Sequence, residues 1–158
     1  MTNYTMLSKQ ITSLSSSSRH YLPLLSNASA LLYESLENIN WAGFYLLNDN
    51  SLMLGPFQGK VACVSIPIGK GVCGTAVAED QTQLVSDVHL FKGHIACDSA
   101  SESEIVIPLH DGKRIIGVLD IDSPVKNRFS IEDKHGLETF VSDLLSVMDF
   151  DSLKASII

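Results

Sequence analysis

The sequence predicts an α+β fold, a central and mainly antiparallel sheet flanked by N-terminal and C-terminal helices. Three observations carry that expectation. Apolar residues recur at helical spacing near the start of the chain, hairpin patterns fill its middle, and a capped amphipathic segment closes it.

The elements follow in order. A first helix is expected over residues 5–14, ending in Ser15-Ser16-Ser17-Ser18, a linker-like break. A second starts near Arg19-His20-Tyr21, with Pro23 tolerated in its first turn. Its apolar stripe runs through Leu24, Leu25, Ala28, Leu31, Leu32 and Leu36. Strands are expected over 40–47 and 52–57, around the polar turn Asn48-Asp49-Asn50-Ser51, and over 60–67. Gly69-Lys70-Gly71 then turns into a short helix over 72–79, and a short strand covers 83–86. Residues 104–109 and 114–121 read as a hairpin around His110-Asp111-Gly112-Lys113. Ser130 caps a final helix carrying Phe140, Leu144, Leu145 and Met148. Between strand and hairpin, residues 87–103 run past the usual loop length, as lids and binding segments do.

The chain has 158 residues, enough for one domain with a substantial core. One domain is expected over 1–158, with 1–18 as N-terminal helix and linker and 19–150 as the core. Its formal net charge is -7 with no basic cluster, which disfavours nucleic acid and anionic membrane surfaces as partners. No apolar run approaches the roughly 20 residues of a membrane span, and no leader pattern opens the sequence. A cytoplasmic location is the expectation. There the three cysteines are buried fillers, metal ligands or redox groups rather than a disulfide framework.

Cys97 lies in the long loop beside His94, a histidine suited to favouring its thiolate, while Asp98 acts the other way. Cys73 falls in the first turn of the short helix, where N–H groups and the helix dipole stabilise thiolates. Cys63 reads as mid-strand, and Val61-Ala62-Cys63-Val64 reads as core. Zinc sites place ligands two to four residues apart, twice over. Cys63 and Cys73 do not, and His94 with Cys97 lacks a second pair, so no metal and no cofactor are expected.

Asp120 and Asp122 share one strand face, fit for a cation or a substrate ammonium if it is not merely a solvated strand end. Glu104 joins them only in one register. A plain two-residue turn at Asp111-Gly112 puts it on the opposite face; a three-residue loop, or a bulge near Pro108 or Gly112, brings all three together. Trp41 and Tyr45 also share a face, as core or as the wall of a pocket for an amphipathic cation.

Several stretches then converge. They include Asn40-Trp41-Ala42-Gly43-Phe44-Tyr45, Leu54-Gly55-Pro56-Phe57-Gln58-Gly59-Lys60 and Gly69-Lys70-Gly71-Val72-Cys73-Gly74. With them stand Gly93-His94-Ile95-Ala96-Cys97-Asp98-Ser99-Ala100-Ser101 and Gly117-Val118-Leu119-Asp120-Ile121-Asp122-Ser123-Pro124. The set resembles the free methionine-(R)-sulfoxide reductases, enzymes built on a single GAF domain, from about Tyr21 onward. Lys92 stands where that pattern has proline.

The resemblance implies a thiol oxidoreductase acting on free methionine-(R)-sulfoxide. It implies Cys97 as nucleophile, Cys63 as resolving thiol and Cys73 as a third participant. Glu104, Asp120 and Asp122 would surround the substrate amino group and sulfoxide oxygen, Trp41 and Tyr45 would wall the methylsulfinyl end, and lid N–H groups would take the carboxylate. Thioredoxin would reduce the resulting disulfide, and the resemblance is compatible with a homodimer. A different class, a non-catalytic GAF sensor binding a small ligand, predicts a pocket with no use for the cysteines.

Overall fold

A computed structural model describes residues 1–95, 97 and 99–156. The elements are α1 (Tyr4–Ser13), α2 (Tyr21–Ser35), β1 (Trp41–Asn48), β2 (Ser51–Gly59), β3 (Ser65–Pro67), α3 (Gly71–Glu79), β4 (Gln83–Val85), β5 (Ser103–Asp111), β6 (Arg114–Ser123), α4 (Ile131–Val147) and α5 (Phe150–Ser156). The strands form one six-stranded sheet in the order β3-β2-β1-β6-β5-β4, with every neighbouring pair antiparallel. The predicted α+β class, with helices from both ends of the chain against the sheet, is what forms.

Alternation along the strands gives the sheet two faces. Ala42, Phe44 and Leu46 of β1, Ile105, Ile107 and Leu109 of β5, and Leu119 and Ile121 of β6 point to the helical side. There they meet Leu24, Leu25, Ala28 and Leu32 of α2 and Leu137, Phe140, Val141 and Leu144 of α4, all buried. Each Leu, Ile, Val or Phe among them contributes about 1.5–3 kcal/mol of burial. Leu7 and Ile11 of α1 join that cluster, and the Tyr4 hydroxyl donates to Asp133 Oδ1 at 2.6 Å.

Caps set the helix limits. Asn3 accepts from Met6 N–H, and the His20 ring accepts from Leu22 N–H. Ser130 and Asp133 form a reciprocal capping box at α4. α5, which sequence patterning did not resolve, is a short turn of helix after Met148 and Asp149.

The opposite face is covered by α3 and irregular chain. Trp41, Tyr45, Val106 and Val118 of the sheet pack there with Val72, Cys73 and Ala76 of α3 and Val88 of the long loop. The strand expected over 60–67 is shorter than its sequence suggested. Only Ser65–Pro67 pairs, with β2, and residues 61–64 are irregular. Among the described residues no helix is long and apolar enough to cross a membrane.

Candidate active site

The β5–β6 register decides which side chains meet. Beyond Leu109 opposite Gly117, pairing shifts by one residue to His110 opposite Ile115, leaving Ile116 as a bulge. Asp111 pairs with Arg114 around Gly112 and Lys113, and Gly112 takes the left-handed conformation, φ 64°. The shift sets Glu104 opposite Asp122 and Val106 opposite Asp120, so the three carboxylates share a face. The register condition read from the sequence is met by a bulge near Gly112.

β1 extends that face. Trp41 lies opposite Asp122, Gly43 opposite Asp120 and Tyr45 opposite Val118. The indole stacks on Tyr45 with ring centroids 5.8 Å apart and on Phe57 at 5.2 Å. Gly43 makes room, since a Cβ there would overlap Phe57 and stand 2.8 Å from the indole.

α3 lays a thiol over the carboxylates. Gly71, at φ 61°, starts the helix, and Gly74 packs against the Pro67 carbonyl where a Cβ would not fit. Cys73 is therefore buried against the sheet. Its place in the first turn suggested an activated thiolate, and the structure corrects this. Burial, then the charges of Asp120, Glu104 and Asp122, push the thiol well above its ordinary pKa. The adverse surroundings outweigh the helix N-terminus.

Cys63 and Cys97 are joined in a disulfide, their Cα atoms 5.6 Å apart. Cys63 is not mid-strand; with Ala62 it is half-buried against the edge of the second core cluster. Its neighbours Val61 and Val64 are 88% and 72% exposed. Val64 O still accepts from Leu54 N–H of β2, but two other carbonyls of the segment go to side chains. Trp41 Nε1–H donates to Lys60 O at 3.1 Å, and the Tyr45 hydroxyl donates to Cys63 O at 2.9 Å. Cys97 sits in the long loop as expected, while Asp98 lies outside the described residues. His94 faces the carboxylates, its Nε2 3.9 Å from Glu104 Oε1, and burial lowers its pKa towards the neutral ring.

Electrostatically the floor of this site is unusual. Glu104 and Asp120 are each only 6% exposed. Burial, then Asp120 and Asp122, hold the Glu104 carboxyl well above its usual range, and burial raises Asp120 as well. Burial and their mutual charge therefore favour a proton retained on the Glu104–Asp120 pair. Burial also raises the Tyr45 phenol, which remains a hydrogen-bond donor.

The space inside this pocket is about 40 Å³, bounded by Trp41, Tyr45, Cys73 and the carboxylates on one side and by His94, Ile95 and Cys97 of the disulfide on the other. That space holds a water or two, not an amino acid. Seven of the eight residues singled out in the sequence line this pocket, Trp41, Tyr45, Cys73, Cys97, Glu104, Asp120 and Asp122, and Cys63 joins them through its disulfide to Cys97. Residue-type reasoning passed over Ile95, which closes over Gly71, and buried Ser101, whose hydroxyl accepts from Asn40 Nδ2 at 3.3 Å. Their signals were slight: a glycine turn where a Cβ on Gly71 would press on Ile95, and a run of small residues in the loop.

The chain is similar to known proteins over nearly its whole length. The GAF domain family matches residues 25–149. Free methionine-R-sulfoxide reductase of Escherichia coli K12 is 55% identical over 157 residues, covering 98% of this chain and 95% of that protein. The reduced form of fRMsr of Staphylococcus aureus superposes with a TM-score of 0.90 at 58% identity, covering 94% of this chain and 97% of the other. Free methionine-R-sulfoxide reductase of Neisseria meningitidis in complex with its substrate gives 0.89 at 38% identity, covering 98% and 92%.

Proposed function

Since this chain belongs to the GAF-domain family of free methionine-(R)-sulfoxide reductases, we propose that it reduces free L-methionine-(R)-sulfoxide through Cys97 and Cys63. It is an oxidoreductase of that family. Cys97 as thiolate attacks the sulfoxide sulfur and forms a Sγ–S bond; the protonated oxygen then passes to Cys97 Sγ as the S–O and Sγ–S bonds break, so methionine leaves and Cys97 holds a sulfenic acid. The proton-sharing pair Glu104 and Asp120 protonates that oxygen as the bond breaks. Cys63 then attacks the sulfenic sulfur, expelling water and forming the disulfide. A thioredoxin-type dithiol, in a cytoplasm that keeps thiols reduced, takes over the disulfide and restores both thiols.

One observation carries the reading: a Cys63–Cys97 disulfide stands at the mouth of a pocket floored by buried carboxylates. Thiols there would meet a sulfoxide whose ammonium is held by Asp120, Asp122 and Glu104, with Trp41 and Tyr45 against the methyl end. A methionine within a protein has lost that ammonium, so selectivity for the free amino acid follows from the same residues. The cross-linked pocket is too small for substrate, which makes reduction of the disulfide the step that reopens it.

The deciding experiment is a coupled assay with thioredoxin, its reductase and NADPH on both sulfoxide epimers, free and peptide-bound. Consumption of the free (R) epimer alone is the expected result. No turnover of it, with the disulfide shown to be reduced, overturns the reading.

A further inference from the structure

The pocket floor sets a thiol that the proposed reduction leaves unused, Cys73, beside two carboxylates that it uses. Cys73 Sγ and one carboxylate oxygen each from Glu104 and Asp120 lie within 4.8 Å of one another, and all three residues are buried. An independent feature points to a ligand there. Asp120 Oδ1 is buried yet finds no hydrogen-bond partner among the described residues. An oxygen left so is expensive unless the proton that Asp120 shares with Glu104, or a cation in its place, reaches it. One sulfur and two carboxylates, with the His94 ring beside Glu104, form a mixed set suited to a borderline-soft divalent ion. A cavity of about 40 Å³ is too small for an amino acid but adequate for an ion and a water.

We propose that Cys73, Glu104 and Asp120 form a Zn²⁺ site on the pocket floor, and that the bound ion excludes the substrate. Coordination replaces the thiol S–H by a Zn–S bond and displaces the proton shared by Glu104 and Asp120, both protons passing to solvent with no change of oxidation state. The ion occupies the place of the substrate ammonium, so zinc and sulfoxide compete. Exclusion of substrate rests on the function proposed above; metal binding does not.

The disulfide form of the full chain tests the binding cleanly, because Cys73 is then its only thiol. Cd²⁺ added to it gives a sulfur-to-cadmium charge-transfer band saturating at one ion per chain, and Zn²⁺ displaces the cadmium. Asp120→Asn weakens binding by about tenfold or more, and Cys73→Ser removes the band. Absence of the band up to millimolar Cd²⁺ overturns the site, as does a band that survives Cys73→Ser or an unchanged affinity in Asp120→Asn. With reduced enzyme, Zn²⁺ raises KM for the sulfoxide; an unchanged KM at saturating zinc overturns the exclusion. An enzyme without turnover speaks against the proposed function alone, because the cadmium titration needs none.

Discussion

The phenol of Tyr45 donates its proton to the backbone carbonyl of Cys63 across 2.9 Å. A pocket-wall side chain thus holds the segment that carries one half of the disulfide. Replacing it by Tyr45→Phe removes one net hydrogen bond, about 1 kcal/mol, and leaves the Cys63 carbonyl without that donor. We expect the disulfide to form several-fold more slowly after oxidation of the reduced chain by one equivalent of sulfoxide. Rapid quenching with alkylating agent and mass measurement gives the rate. An unchanged rate places the hydroxyl's contribution elsewhere.

The two bonded cysteines separate into different phenotypes. Cys97→Ser abolishes turnover, because no thiolate remains to take the oxygen. Cys63→Ser releases about one methionine per enzyme and then stalls as a sulfenic acid. A single-turnover assay with dimedone labelling of the stalled species distinguishes them. Methionine beyond one equivalent, with thioredoxin as the only reductant, would assign resolution to another thiol.

Glu104 exacts a stability cost whose pH dependence has a definite sign. Burial and its acidic neighbours raise its folded pKa above the ordinary 4.5, so the folded chain retains a proton that the unfolded chain loses. Below the unfolded value both states are protonated and no cost arises. The cost grows as pH rises from there towards the folded value. Glu104→Gln therefore raises Tm near neutrality, about 2–4 °C for each kcal/mol recovered, and the gain fades in acid. Thermal melts of both chains from pH 4 upward check it, and sulfoxide turnover falls in the same variant.

Asp133 behaves in the opposite sense. Burial would raise its carboxyl, but the Ser130 N–H, the Tyr4 hydroxyl and Arg128 outweigh it and hold the pKa below 3.8. Its stabilisation is complete above that value and is lost as pH falls through the depressed one. Asp133→Ala removes the capping box and the anchor of α1. The cost is about 1–2 kcal/mol at neutral pH. Denaturant titration at pH 7 and in acid tests this, with the two chains converging at the lower pH.

The sequence revealed the helices and hairpins because each carries a local cause. α2 has its stripe through Leu24, Ala28 and Leu32, and α4 has Ser130 followed by an acid three residues on. What it could not supply were non-local events. Residues 60–64 look like a strand, but the carbonyls of Lys60 and Cys63 go to the side chains of Trp41 and Tyr45, which are distant in sequence. Val61 and Val64 look like core, yet the disulfide holds that segment at the surface. Cys73 has the helix position of an activated thiol, and only the fold lays it over Asp120 and Glu104. The eight site residues were legible through family resemblance; the common face of the carboxylates depended on a register visible only in the assembled hairpin.

The bulge at Leu109 and His110 has a consequence for how the chain can change over time. Strand faces alternate residue by residue, so the carboxylates stay together only while the parity of spacing between Glu104 and Asp120 is preserved. Gly112 and Lys113 form an exposed tip, where insertions and deletions are ordinarily tolerated. Here a net gain or loss of one residue would turn Glu104 from the pocket into the helical core. Two residues added or removed together would merely resize the tip. Length variation in this hairpin is thus restricted to even steps, a constraint on heredity imposed by one unpaired isoleucine.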